Sequence, residues 1–298
     1  MPGEAFGGET KRGSPVPHYL IAESELSQER ESRRERAGKS SGETYRATLQ
    51  QMRPGAEFTL VAPADEDAPV LSPQELAGFD AVLLTGSPMH VYDDTPPVRR
   101  QLAFMRAVFA SGTPSFGSCA GLHVAAAAAG GRVRPMAGRI EAGIVRGITA
   151  TEGGRGHPLL AGRPACWDAI GIHGDEVEVL PPGATVLAGN AATAVQAAEI
   201  RHDRGIFWGV QYHPELAMAE IATALRSQAD DLVTAGMAES EGDVATIADL
   251  LEALHRRPDH HPLRWKLGVG AEMAEEQRRR TEISNFLDAA PSLRNGGA

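Results

Sequence analysis

Cys119 lies in T-P-S-F-G-S-C-A-G, residues 113–121, so that G-x-C-x-G follows a short apolar run and precedes the apolar stretch 122–129. This order predicts a strand, a tight turn and a helix, with the sulfur at the turn. Gly117 and Gly121 suit such an elbow, because side chains beside the reactive residue would strike neighbouring backbone. A thiol in the first turn of a helix also faces the positive end of the helix dipole, which favours thiolate. A second segment, I-F-W-G-V-Q-Y-H-P-E at 206–215, reads as an apolar strand ending near His213, with Pro214 as the stop and Glu215 two residues beyond. A thiolate nucleophile needs a base or cationic partner, and that partner needs an acceptor on its other nitrogen. Cys119, His213 and Glu215 supply the three roles. Separately, the cysteine reads as a buried structural thiol, the histidine as a strand end and Glu215 as a helix N-terminal carboxylate. Together, in the order Cys, His, Glu at the ends of predicted strands, they select catalysis by a thiolate nucleophile.

The elements that must carry these residues read as strands at 18–22, 58–62 and 80–85, with 115–117 leading into the elbow. Helices are expected at 43–52 and 96–110. Near-continuous apolar strands alternating with helices imply a parallel sheet covered on both faces. Between 138 and 196, short β segments (142–148, 169–172, 177–179, 185–188), with another at 197–200, are punctuated by Gly, Pro and Asn and predict a mixed or antiparallel extension. Stretches 217–235, 244–256 and 272–289 carry helical apolar spacing. The charged segment 23–39 has no apolar face and reads as a solvated loop or mobile helix. The domain reading is thus a disordered 1–17, a catalytic domain over 18–218 and a helical C-terminal extension over 219–298.

The chain resembles the class I, triad-type glutamine amidotransferases, above all the amidotransferase domain of GMP synthetase and its stand-alone relatives. The resemblance spans about residues 19–218 and rests on F-D-A-V-L-L-T-G-S-P (79–88), F-G-S-C-A-G-L-H (116–123), I-H-G-D-E-V (172–177) and G-V-Q-Y-H-P-E (209–215). It implies a flavodoxin-like α/β fold, a γ-glutamyl thioester on Cys119, His213 as general base and Glu215 as its orienter. It also implies an oxyanion hole from main-chain groups of Gly86, Ser87 and Ala120, and substrate contacts from His123, Ile172, His173, Gln211 and Tyr212. Two positions depart from the family pattern: His123 replaces a glutamine that helps hold the substrate's amino-acid end, and Gly86-Ser87-Pro88 replaces Gly-Gly-Pro or Asn-Gly-Pro. The family's activity implies glutamine or another γ-glutamyl amide as substrate and no cofactor. A synthetase-type phosphate loop and a G-x-x-x-x-G-K-[ST] motif are both missing from the sequence, so the chain is not expected to activate an acceptor with ATP.

Composition agrees. With 298 residues and 42% hydrophobic side chains the chain can bury a core of ordinary size, and its net charge of −10 argues against nucleic-acid binding. No apolar run is long enough to span a bilayer, so a soluble, cytoplasmic protein is expected. Two cysteines give no disulfide framework, and Cys166, with neither elbow nor base, reads as an inert buried thiol. Gly153–Gly156 lacks the features of a phosphate loop and reads as a turn. Arg256–His261 reads as a charged turn, and no metal site is expected. Two functions stay open: a glutaminase passing ammonia to a separate synthetase, and a stand-alone hydrolase of another γ-glutamyl amide. A non-catalytic relative is disfavoured by the intact triad, and the helical extension is expected to pack on the domain or form a dimer contact.

Overall fold

The computed structural model describes residues 16–137 and 140–295; of the expected disordered N-terminus, residues 1–15 lie outside the described residues. The first half alternates strands and helices: β1 (His18–Ala22), α1 (Ser27–Ala37), α2 (Ser41–Met52), β2 (Glu57–Val61), α3 (Pro73–Leu76), β3 (Ala81–Leu84), α4 (Pro96–Ser111), β4 (Ser115–Ser118) and α5 (Ala120–Ala128). A β-rich stretch follows, with β5 (Arg132–Pro135), β6 (Glu141–Ala150), β7 (Cys166–His173), β8 (Asp175–Val179), β9 (Ala184–Gly189), β10 (Ala197–His202) and β11 (Gly205–Val210). The chain then turns helical: α6 (Met218–Ser227), α7 (Ala229–Thr234), α8 (Glu241–Arg256), α9 (His261–Leu267), α10 (Ala271–Ala274), α11 (Glu276–Arg279) and α12 (Thr281–Asn295).

Nine strands form one sheet in the order β2-β1-β3-β4-β11-β10-β9-β6-β7, while β5 and β8 pair separately. The half β2-β1-β3-β4-β11 is parallel and β11-β10-β9-β6-β7 is antiparallel. The parallel half has the doubly wound order in which ligands bind beyond the carboxyl ends of the strands. The strand period of two divides the core: Tyr19, Ile21, Ala81 and Leu83 pack on one face, and Leu20, Ala22, Val82 and Leu84 on the other. Caps fix the helix starts facing the site. Ser40 Oγ accepts from Glu43 N while Glu43 returns a bond to Ser40 N, and Thr95 Oγ1 accepts from Val98 N ahead of two prolines.

The C-terminal helices are more broken than the sequence period implies. The expected helix 217–235 splits at Gln228, and 272–289 breaks at Glu275 and Arg280. Helical spacing persists through these breaks because α6, α7 and α10 still bury apolar residues, among them Leu225, Leu232 and Met273. β5 and α9 were not anticipated. His260, in the expected charged turn, caps α9 by accepting from Leu263 N. Among the described residues no helix is long and apolar enough to cross a membrane. Cys166 is exposed at the start of β7, correcting the buried reading: it opens the sheet's outermost strand, opposite Thr149.

Candidate active site

β4 ends at Ser118 and α5 begins at Ala120, which leaves Cys119 alone in the turn at φ 50° and ψ −111°. A non-glycine residue held there stores strain of about 1–3 kcal/mol and persists only when its surroundings over-determine it. They do: Cys119 N donates to Val210 O at 2.8 Å, and its carbonyl accepts from Leu122 N at 2.9 Å. The crossing of the elbow under β3 is equally tight, since a side chain at Gly121 would begin 2.8 Å from the Leu84 carbonyl oxygen.

His213 and Glu215 follow β11 on the same end of the sheet. His213 N donates to Ile170 O at 2.9 Å, tying the loop to β7. Its Nδ1–H donates to Glu215 Oε1 at 2.7 Å, and the two residues are 7% and 3% exposed. Burial alone would lower the basicity of the imidazole, but the Glu215 charge and a hydrogen bond with the Cys119 side chain outweigh it, and the pKa is pushed up to about 10. A cation held beside a sulfur stabilises negative charge developing there. Gly86, in the turn after β3, touches both partners: a Cβ at that position would lie 2.7 Å from His213 Cε1 and 3.6 Å from Cys119 Cβ.

Cys119, His213, Gly86 and Ser87 border a cleft of about 900 Å³ that also meets His123, Ile172 and His173. The Ile172 carbonyl oxygen is 3.9 Å from Cys119 Sγ. His123 is 3% exposed; burial pushes its imidazole down to about 4, so it is neutral at pH 7. His173 has both ring nitrogens engaged, Nδ1 with the Asp175 carbonyl at 2.9 Å and Nε2 with Glu141 Oε2 at 3.1 Å. Asp175 in turn is 2.6 Å from His90 Nδ1 and accepts from the Tyr92 hydroxyl at 3.1 Å.

Two expected substrate contacts are corrected. Gln211 is fully buried behind the cleft, with Oε1 2.8 Å from His123 Nε2, so it holds His123 from below. Tyr212 faces the opposite side of the sheet, as the alternation along an extended chain requires, and its hydroxyl donates to Glu282 Oε1 of α12 at 2.8 Å. Arg163 closes this buried cluster with Nη2 2.7 Å from Glu282 Oε2.

Sequence reasoning missed three kinds of residue. Ser118 Oγ donates to Glu215 Oε1 at 3.0 Å and lies 2.6 Å from the Tyr45 hydroxyl, while Thr48 Oγ1 donates to the Glu215 carbonyl at 3.1 Å. A serine directly before the nucleophile was the available signal. Within the charged segment 23–39, α1 is a helix without an apolar face, as expected, but the two glutamates ahead of it are not solvated. Glu23 and Glu25 are 5% exposed and accept from the first amides of α2, Gly42 N and Ser41 N. Gln28, Ser32, Arg33 and Arg36 of α1 then wall the cleft opposite Thr223, Ser227 and Asp231 of α6 and α7. Among the described residues no group of three or more His, Cys, Asp or Glu side chains could hold a metal ion.

Residues 42–229 match the family described as glutamine amidotransferase class-I. The chain is 34% identical over 274 residues to a gamma-glutamyl-L-1-hydroxyisopropylamide hydrolase of a Pseudomonas species, covering 90% of this chain and 91% of that protein. It is 38% identical over 144 residues to the glutamine-hydrolyzing GMP synthase of Thermomicrobium roseum, covering 48% of this chain but 25% of the synthase. The chain thus spans about a quarter of that relative's length. Among solved structures, a glutamine amidotransferase from Thermotoga maritima aligns with a TM-score of 0.62 at 15% identity, over 92% of this chain and 97% of that one, which establishes the likeness of fold.

Proposed function

This chain belongs to the class I glutamine amidotransferases, whose members are cysteine-dependent enzymes, and we propose that it hydrolyses a γ-glutamyl amide through Cys119, His213 and Glu215. The observation that carries the reading is the strained Cys119 with a buried, Glu215-paired imidazole beside it in one cleft. The Cys119 thiolate attacks the γ-carbonyl carbon, main-chain N–H groups of the Gly86–Ser87 turn and Ala120 steady the oxyanion, and the C–N bond breaks as His213 gives its proton to the leaving amine. Water then attacks the thioester with His213 taking its proton, releasing glutamate and restoring the Cys119 thiolate beside the protonated imidazole.

The amide favoured here carries a substituted amine. The full-length relative acts on such a compound by name. The cleft has room for such a substituent, since about 900 Å³ falls within the roughly 300–1,000 Å³ of small-molecule pockets. A second reading, glutaminase activity feeding ammonia to a separate synthetase, is favoured by the match to the amidotransferase part of GMP synthase. Glutamate release from glutamine and from a panel of γ-glutamyl alkylamides decides. Faster turnover of alkylamides by the protein alone supports the first reading; turnover of glutamine only, raised by a partner, supports the second. No glutamate from any of them sinks both.

A further inference from the structure

We infer that Tyr45 and Ser118 form a one-way hydrogen-bond relay that positions Glu215 for His213. The inference rests on the γ-glutamyl hydrolase reading for its kinetics and on geometry for its form. The direction follows from what each group can do. An ionised carboxylate only accepts, so the Ser118 hydroxyl hydrogen goes to Glu215 Oε1 at 3.0 Å. The Ser118 oxygen, 2.6 Å from the Tyr45 hydroxyl, then accepts from the phenol. Burial, with the Glu215 charge nearby, raises the Tyr45 pKa well above its ordinary value and keeps it a donor.

Glu215 needs such a partner. It lies five residues past the end of β11, outside any helix or strand. The terminal torsion of a glutamate is broad and roughly two-fold, so one hydrogen bond to His213 does not fix the carboxylate plane. Its Oε2 is buried without a hydrogen-bond partner among the described residues, so the bonds at Oε1 carry the orientation. Tyr45 and Ser118 are both 0% exposed, and bulk water does not substitute for either. The relay thereby makes α2, through Tyr45, a support for the orienting carboxylate, while Ser118 couples that carboxylate to the residue preceding the nucleophile.

A series arrangement has a signature that packing alone lacks. Ser118→Ala should lower kcat about tenfold with KM little changed, as expected for loss of one charge-assisted hydrogen bond expressed in the transition state. Tyr45→Phe should lower kcat about threefold in the parent and have no further effect in the Ser118→Ala background. The second-order rate of Cys119 alkylation by iodoacetamide should follow the same non-additive pattern. That readout needs no γ-glutamyl compound, so a non-additive alkylation cycle without turnover would keep the relay and reject the substrate reading. Additive losses in either assay, or a rise in KM in place of a fall in kcat, would overturn the relay. Should Ser118→Ala not fold, Tyr45→Phe decides alone, and parental kcat and alkylation rate would overturn it.

Discussion

The His213 ring occupies the space that a side chain at Gly86 would need: the Cε1 atom lies 2.7 Å from where a Cβ would stand. Gly86→Ala should displace the imidazole from Cys119, lowering kcat at least a hundredfold, because misplacements near 1 Å cost about that much. The overpacking should also cost about 1–3 kcal/mol of stability. Glutamate release and urea unfolding on the same preparation check both; an active Gly86→Ala enzyme would contradict this geometry.

Strain at Cys119 gives an ordered prediction for substitutions there. Cys119→Gly and Cys119→Ala should both abolish turnover, but the glycine variant should be the more stable by about 1–2 kcal/mol, since it adopts φ 50° without a Cβ penalty. Cys166→Ala, at an exposed strand start, should leave kcat, KM and Tm at parental values. Thermal unfolding with product assays tests all three.

The two site histidines act oppositely on the pH dependence of stability. His123 has a folded pKa of about 4, below its ordinary 6.5, so its contribution is present above pH 6.5 and is lost as pH falls through 4. Those two and a half pH units correspond to roughly 3 kcal/mol. His213, with a folded pKa of about 10, contributes stability below pH 6.5 that is lost as pH rises through 10. His123→Gln should flatten the acid side of the stability curve and leave the alkaline side alone. Denaturant midpoints from pH 4 to 10 measure this; an unchanged acid limb would show that another group controls it.

Glu282 is 0% exposed and joins Arg163 to Tyr212. Glu282→Leu alone should destabilise by about 3–5 kcal/mol, because it strands a buried guanidinium. Adding Arg163→Met should restore most of that loss. Chemical denaturation of the two variants checks the order; equal stabilities would show that Arg163 finds another acceptor.

The strands β1 and β3, the elbow and the antiparallel extension were legible because each is written in local apolar period and turn residues. The place of Cys119 was legible for the same reason, directly after a strand, and the H-P-E run after β11 marked His213 and Glu215 as a loop beyond the same sheet end. Ser118 and Tyr45 were not, since the bonds joining them to each other and to Glu215 span 73 and 97 residues, and no local pattern encodes such a meeting. Tyr212 was misread because motif adjacency ignores that neighbouring extended residues face opposite sides. In residues 23–39 the lack of an apolar face was legible but the helix's attachment was not: α1 is placed by ion pairs, Arg34 with Glu43 at 3.0 Å and Arg30 with Asp65, rather than by a buried stripe.

α1 contributes no buried side chain to the protein, yet Gln28, Ser32 and Arg36 stand over the route to the sulfur. Changes at those three positions leave every core contact in place, so this wall of the cleft can vary without disturbing the packed interior. The packed core and this side of the cleft are written in separate stretches of sequence.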